Sequence, residues 1–400
     1  MDSGVKHSLP RGVIALGLVS LFMDTSSELI HSLLPAFMVS VLGLNILTVG
    51  LIEGIAESTA AVTKIFSGVI SDWIGRRKPL VLLGYGLAAL TKPLFPLAAG
   101  AGTVFAARFL DRIGKGIRVA PRDALVADLT PEPMRGAAYG LRQSMDTIGA
   151  FAGPALALAF MALFADNIRA VLWIGVVPAA IAVAFVIFGV QEPETKSPGE
   201  PRRFSINRQE IGRLGTAFWL IVAFGGILTL ARFSEAFLLL RAQNVGLAVA
   251  LVPLVLIAMN VVYAASAYPF GHLSDRVSRR SLLALGIGFL VVADLVLALA
   301  DTVWAVLAGS MLWGLHMGAT QGLLTTLVAA ASPPDLRGTA FGIFNLATGG
   351  ILLLASLLAG FLWTVYGPAA AFLAGAAFST VALIGLLVHR TGTPKPTSRP

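Results

Sequence analysis

The sequence contains no cysteine, which excludes disulfides and thiolate metal sites and leaves the redox compartment unmarked. Charge is scarce too. Asp, Glu, Lys and Arg make up 12% of the 400 residues, against 56% hydrophobic, too few to solvate an ordinary soluble fold. There is no His-Glu-x-x-His helix and no Gly-x-Ser-x-Gly elbow, so nothing points to an enzyme. Gly114-Lys115-Gly116 lacks the upstream glycine and the following Ser/Thr of a phosphate loop, which excludes nucleotide-driven transport. No cofactor is expected. A formal charge of +8 would suit nucleic acid, but the distribution of the basic residues points to a membrane partner instead.

What the chain has in quantity is long apolar runs. At about 20 residues per crossing, they lie near 12–40, 46–70, 80–99, 102–127, 138–163 and 169–190, and again near 215–239, 246–270, 282–300, 303–329, 339–363 and 369–388. Lys6 and Arg11 before the first run resemble a signal sequence, but no small-residue cleavage site follows, so the run reads as a retained first helix. Alternate loops hold Arg76, Arg77, Lys78, Arg135, Lys196, Arg202, Arg203, Arg208, Arg213, Arg276, Arg279, Arg280 and Arg337, and the opposite loops only Arg169 and Arg241. The basic side is cytoplasmic by the positive-inside rule, which predicts a multi-pass protein of the inner membrane with both termini in the cytoplasm.

The fourth run interrupts this pattern. Arg108, Asp111, Arg112, Lys115, Arg118, Arg122 and Asp123 fall within an arc of roughly 140° on a helix. A charge at bilayer depth costs from about 2.5 to above 10 kcal/mol, so this face must meet water, counter-charges or a substrate. The proposed spans carry nine basic and nine acidic residues, fifteen of them in the first half, a near balance that predicts mutual pairing. Asp24, Glu28 and His31 share one face of span 1 within roughly 60°, and Glu53 with Glu57 lie one turn apart on span 2. Two acidic faces then stand near one basic face. Arg142 and Asp146 at i, i+4 on span 5 read as a structural pair. In the second half Arg232 and Glu235 are the polar anchors among Trp219, Phe224, Phe233, Phe237, Trp313, Phe341 and Phe344, which predicts a cavity with one charged and one aromatic wall. The lone His316 reads as packing.

Two internal repeats bisect the chain. Gly68-Val-Ile-Ser-Asp72-Trp-Ile-Gly75-Arg76-Arg77 recurs as Gly271-His-Leu-Ser-Asp275-Arg-Val-Ser278-Arg279-Arg280, displaced by 203. Leu125 to Gly140 recurs as Leu327 to Gly342, displaced by 202. Duplicated halves around a midplane site are the architecture of secondary transporters. We therefore expect an all-α membrane protein of twelve transmembrane helices in two pseudo-symmetric halves: 1–190, a cytoplasmic linker 191–214, 215–390 and a tail 391–400.

The Gly-x-x-x-Asp-x-x-Gly-Arg-Arg signature between spans 2 and 3 resembles that of the major facilitator superfamily, and the resemblance covers nearly the whole chain. It implies a gating role for Gly68, Asp72, Arg76 and Arg77, echoed by Asp275 and Arg279, with Ser278 replacing the expected glycine. Arg112-Ile-Gly-Lys115-Gly is similar to the span-4 motif whose arginine is implicated in proton coupling, with Lys115 in place of the usual glutamine. Gly140, Gly149, Gly153 and Pro154 resemble the span-5 motif of drug and proton antiporters, with Ala157 where a glycine is usual. On this basis the chain is expected to export a small amphipathic or anionic organic compound by proton-coupled alternating access, as a monomer. Asp24, Glu28 and Arg112 are the candidate coupling residues, and His31, Glu57, Arg108, Lys115, Arg142, Arg232 and Glu235 the candidate substrate contacts. The alternatives are an uptake symporter for an organic anion or metabolite, a divalent-cation carrier using the span 1 and span 2 acids, and a transporter-like receptor.

Overall fold

Hydrocarbon offers a backbone no hydrogen-bond partner, so long apolar runs close their bonds within the segment, as helices. In a computed structural model, which describes residues 9–74, 76–192, 208–274, 276–320, 323–333 and 336–388, every regular element is helical. In the first half, α1 is Arg11–Ala36, continued by a π-turn over Phe37–Val41. There follow α2 (Ile46–Ile74), α3 (Lys78–Thr91), α4 (Ala101–Leu129), α5 (Arg135–Leu163) and α6 (Val176–Gly189, preceded by Ile168–Ile174). In the second half, α7 is Thr216–Ala231, resumed after a break as Ala236–Asn244. After it come α8 (Pro253–Ser274), α9 (Arg279–Leu299), α10 (Val303–Thr320, then Leu323–Ala331), α11 (Arg337–Tyr366) and α12 (Pro368–Val388).

Ten of these helical segments are long and apolar enough to cross a membrane. The two others are α4, which its charged face excludes, and α10, whose described residues break at 321–322. In the first six helices α1 packs on α5 and α6, α4 on α2 and α3, and α3 on α6. The second six repeat the same five pairings: α7 on α11 and α12, α10 on α8 and α9, α9 on α12. The fold is thus an all-α membrane protein with two pseudo-symmetric halves. Asp275, the side chain of Asp72, residues 193–207 of the expected linker and the expected tail lie outside the described residues.

One end of the bundle carries turns through positive φ at Gly43, Ala165, Asp166, Gly246 and Gly367; the other carries Arg76, Arg77, Arg135, Arg279 and Arg337. The halves meet through α2 with α11, α5 with α8, and α1 with Ala236–Asn244. Their tightest contacts lie from midspan towards the turn end. A Cβ on Gly50 would stand 2.5 Å from the Ser356 carbonyl, one on Gly360 3.2 Å from the Leu47 Cα, and one on Gly349 3.0 Å from the Ala61 Cβ. Ser40 Oγ and Gln243 Nε2 lie 3.5 Å apart at the turn end itself. Two adjoining cavities of about 440 and 350 Å³ lie along the α5–α8 contact from midspan towards the basic end and share Gln143, Thr147, Tyr263 and Ala264. The bundle is closed at the turn end and hollow towards the basic end.

Candidate functional site

The geometry starts from the glycines of α4. A Cβ on Gly116 would fall 2.5 Å from the Thr63 Cβ of α2, and one on Gly114 2.7 Å from the Gly84 carbonyl of α3. Gly114 and Gly116 wedge α4 between its two neighbours, so the Gly-Lys-Gly run is a packing device. Gly68 of the signature faces the Ala120 Cβ at an ordinary 3.5 Å; the close approach between α2 and α4 belongs to Gly116.

Held this tightly, the charged face of α4 meets the acids of α1 and α2 as its sequence demands. Arg108 donates from Nε to Glu53 Oε1 (3.1 Å) and from Nη2 to Glu53 Oε2 (2.7 Å), and reaches Glu57 at 3.4 Å. Arg112 Nη2 lies 3.1 Å from Glu57 Oε1, and His31 Nδ1 3.3 Å from Glu28 Oε2. Lys92 donates to Asp111 (2.8 Å) and to Ser27 (2.9 Å), the lysine and the aspartate both buried. Arg122 donates to Ser20 and Asp123, and Arg118 lies over the Tyr85 ring, 4.7 Å from its centroid. Buried charges are tolerable only when paired in this way. Three of the acids in the divalent-cation alternative, Glu53, Glu57 and Glu28, are engaged here by cationic or imidazole partners.

Not every charged side chain is paired, and two of the unpaired ones face the region between the helices. Asp24 and Lys115, both half-buried, have no hydrogen-bond or ion-pair partner among the described residues. Asp24 lines the larger cavity together with Gln143, Asp146 and Phe151 from the first half and Asn260 and Tyr263 from the second. Arg112, expected to act on Asp24, is turned instead to Glu57. Arg142, expected at the substrate, is tied to Asp146 at 2.6 Å and points to Asp123 at 3.7 Å, which leaves Gln143 and Asp146 as the cavity-lining groups of that turn.

Asp24 reaches the cavity wall because α5 lies almost on α1. A Cβ on Gly149 would stand 2.7 Å from the Leu21 carbonyl and 3.0 Å from the Asp24 Cβ. One on Gly153 would stand 2.6 Å from the Leu29 nitrogen and 2.8 Å from the Glu28 Cβ. Pro154 sits inside the helix beside this seam, removing one backbone donor.

In the second half α7 breaks between Arg232 and Glu235. The break brings Ser234 Oγ to 3.5 Å from Glu53 Oε2 and the Ser234 nitrogen to 3.4 Å from Ser356 Oγ, so Glu53 joins the two halves. Arg232 and Glu235, both half-buried, flank it. The expected aromatic wall is not a wall: Phe233, Phe237 and Trp313 are buried, and Phe233 packs edge-on against Phe237, Trp313 and Phe372, while Trp219 is exposed. Large rings fill the second half as core, and Tyr263 and Phe151 supply the rings at the cavity.

At the basic end Arg77 holds the α2–α3 loop to its own half. Its guanidinium donates to Asp128 at the end of α4 and to Ser71 of α2, and its backbone nitrogen donates to Glu192 just beyond α6. Arg76 and Arg279 are exposed. Asp128, Glu192, Asn260 and Tyr263 were missed from sequence, Glu53 was weighed only as one of the span 2 acids, and Asp146 only as the partner of Arg142. The acids among them are visible as charges in or beside apolar runs, but no linear signal pairs residue 77 with residues 128 and 192.

The chain matches the model of the Major Facilitator Superfamily over residues 16–240 and again over 226–400. It is 31% identical over 390 residues to an uncharacterised MFS-type transporter of Methanocaldococcus jannaschii, covering 96% of this chain and 95% of that one. It is 25% identical over 385 residues to the inner membrane transport protein YajR of Escherichia coli, covering 92% of this chain and 80% of that one. Among solved structures it is similar to a nucleoside transporter, NupG, with a TM-score of 0.79 and 13% identity over 94% of this chain and 98% of the other. Duplicated half-bundles, a midspan cavity between them and these matches over both halves agree: the chain belongs to the major facilitator superfamily and is a membrane transporter, not an enzyme.

Proposed function

We propose that the protein is a proton-coupled exporter of a small amphipathic or anionic organic compound, working by alternating access as a monomer in the inner membrane with its termini in the cytoplasm. The observation that carries this reading is Asp24: an acid without an ionic partner, on the cavity between the halves, in a bundle whose other buried acids near α4 are paired. A carboxyl so placed binds a proton when its surroundings are dry and releases it when a cation or water approaches. Lys115, a cation of the same region without an ionic partner, supplies the group that approaches, and it offers an anionic substrate a contact when Asp24 is neutral. Tyr263, Phe151, Val261 and Ile148 give the cavity an apolar side suited to an amphipathic molecule. The glycine seam between α1 and α5 supports exchange, because a rigid, dry helix pair limits proton leak. Multidrug resistance proteins named MdtH, from Edwardsiella ictaluri and Proteus mirabilis, match about a third of the chain at 31% identity, which favours export.

The test is untargeted metabolite profiling of cells and medium with wild type, Asp24→Asn and empty vector. A compound enriched in the medium with wild type alone supports the reading and names the substrate. A compound drawn from the medium into cells by wild type replaces export with uptake.

A further inference from the structure

Asp294 lies outside the cavity and outside every ion pair described above. It sits on α9 near the turn end, fully buried, and neither carboxyl oxygen has a hydrogen-bond partner. From α12, Gly375 makes the room for it: a Cβ there would fall 2.7 Å from Oδ2 and 3.2 Å from Phe233 Cε1. One turn further along α12, Ser379 is equally buried and its Oγ is also unpartnered. From α10 come Gly309, against the Ala293 carbonyl and the Leu297 side chain, and Trp313, which meets Phe233 with ring centroids 5.8 Å apart. Among the described residues no charged or titratable group of the surrounding elements pairs with it. Arg241 donates to the Leu297, Ala298 and Ala300 carbonyls, His316 Nδ1 lies 2.8 Å from the Gly286 carbonyl, and Arg232 stands at the α7 break with Glu235.

We propose that Asp294 is a proton-binding site of the second half, protonated while the turn end is closed and exchanging its proton when that end opens. A carboxylate buried without donor or counter-charge is so unfavourable that the group takes up a proton and becomes neutral. A sodium ion in its place needs several oxygen ligands, and the Ser379 hydroxyl makes no hydrogen bond with either carboxyl oxygen. Phe233 lies beside the site, its Cε1 3.2 Å from where a Gly375 Cβ would fall. That ring belongs to the α7 break, and its neighbour Ser234 rests on Glu53 of the first half. Separation of the halves at the turn end therefore pulls on the segment beside Asp294. The site itself stands on burial and geometry, and only its link to transport rests on the proton-coupled reading above.

Infrared spectroscopy of the full chain in lipid nanodiscs tests it, with wild type, Asp294→Asn and Asp24→Asn compared at neutral pH. The expected result is a carboxylic-acid C=O band in wild type that Asp294→Asn removes and Asp24→Asn leaves in place. A wild type without the band, or an Asp294→Asn variant that keeps it, overturns the site. If Asp294→Asn does not fold, Gly375→Ala, whose methyl presses on Oδ2, must shift the band, and an unmoved band overturns the site. A band seen only after sodium is withheld gives the position to the cation and also overturns the proposal. In D2O, exchange of the band must slow when cysteines introduced at Ser40 and Gln243 are crosslinked; an unchanged rate overturns the gating. The band is read without substrate, so failure of Asp24 as a transport proton carrier leaves the outcome at Asp294 independently legible.

Discussion

Arg108 and Glu53 form a two-point pair, Nε to Oε1 and Nη2 to Oε2, with both side chains closed to solvent. Glu53 also meets Ser234 across the boundary between halves, so the pair fixes the first-half surface on which α7 breaks. Removing one partner strands a buried charge, which costs about 3–5 kcal/mol. Arg108→Ala and Glu53→Ala are each expected to destabilise by about that much, and the double variant by clearly less than their sum. Arg108→Lys keeps the charge but loses the planar fork, so it recovers only part of the loss. Thermal unfolding of the four variants in detergent checks this, and additive losses would show that the two residues do not act as a unit.

The α1–α5 seam predicts a sharp contrast between glycines on one helix. Gly149→Ala and Gly153→Ala place a methyl within 2.7 Å of backbone atoms of α1, an overpacking that costs roughly 1–3 kcal/mol. Gly140→Ala, on the same helix, meets nothing within 4 Å. It gains about 1 kcal/mol at most from helix propensity. Melting temperatures should fall for the first two and hold or rise for the third. Equal behaviour of all three would mean that the seam is not tightly packed.

Asp24, Arg112 and Lys115 separate into different phenotypes. Asp24→Asn is expected to express normally and to lose pH-gradient-driven transport by at least about tenfold, a barrier change of roughly 1.4 kcal/mol or more, while substrate counterflow persists. Lys115→Gln should weaken substrate affinity with less effect on coupling. Arg112→Ala strips Glu57 of a partner at 3.1 Å and should lower stability as well as activity. Everted vesicles assayed with the compound found by profiling give all three readouts. Uphill transport retained by Asp24→Asn would move the proton carrier elsewhere.

The repeats and the 20-residue apolar runs made the fold legible, because lipid leaves a backbone no other solution. The near balance of buried charge likewise predicted pairing, and Arg142 with Asp146 was readable from i, i+4 spacing alone. Partner choice was not. Arg112 takes Glu57 rather than Asp24, and Lys92 takes Asp111, because helix rotation and tilt decide which of several acids each cation reaches. The second-half aromatics misled for a related reason: period and composition do not distinguish rings that face a cavity from rings that face one another. Asp294 was visible only as one acid in an apolar run, since its isolation depends on Gly375 and Phe233, which come from helices far away in sequence.

The contact between Ser40 and Gln243 at the turn end offers a direct test of the closed arrangement. Because the chain has no cysteine, Ser40→Cys with Gln243→Cys introduces the only two thiols. These side chains come from opposite halves and lie 3.5 Å apart here, so a short thiol-reactive crosslinker should join them in high yield. The crosslinked protein should keep its melting temperature and bind from the basic end, yet transport should fall by about tenfold or more, because a carrier that cannot separate its halves at one end completes no cycle. A cleavable crosslinker should restore transport on reduction. Full transport with the crosslink intact would mean that the turn end does not open by separation of α1 from the second segment of α7.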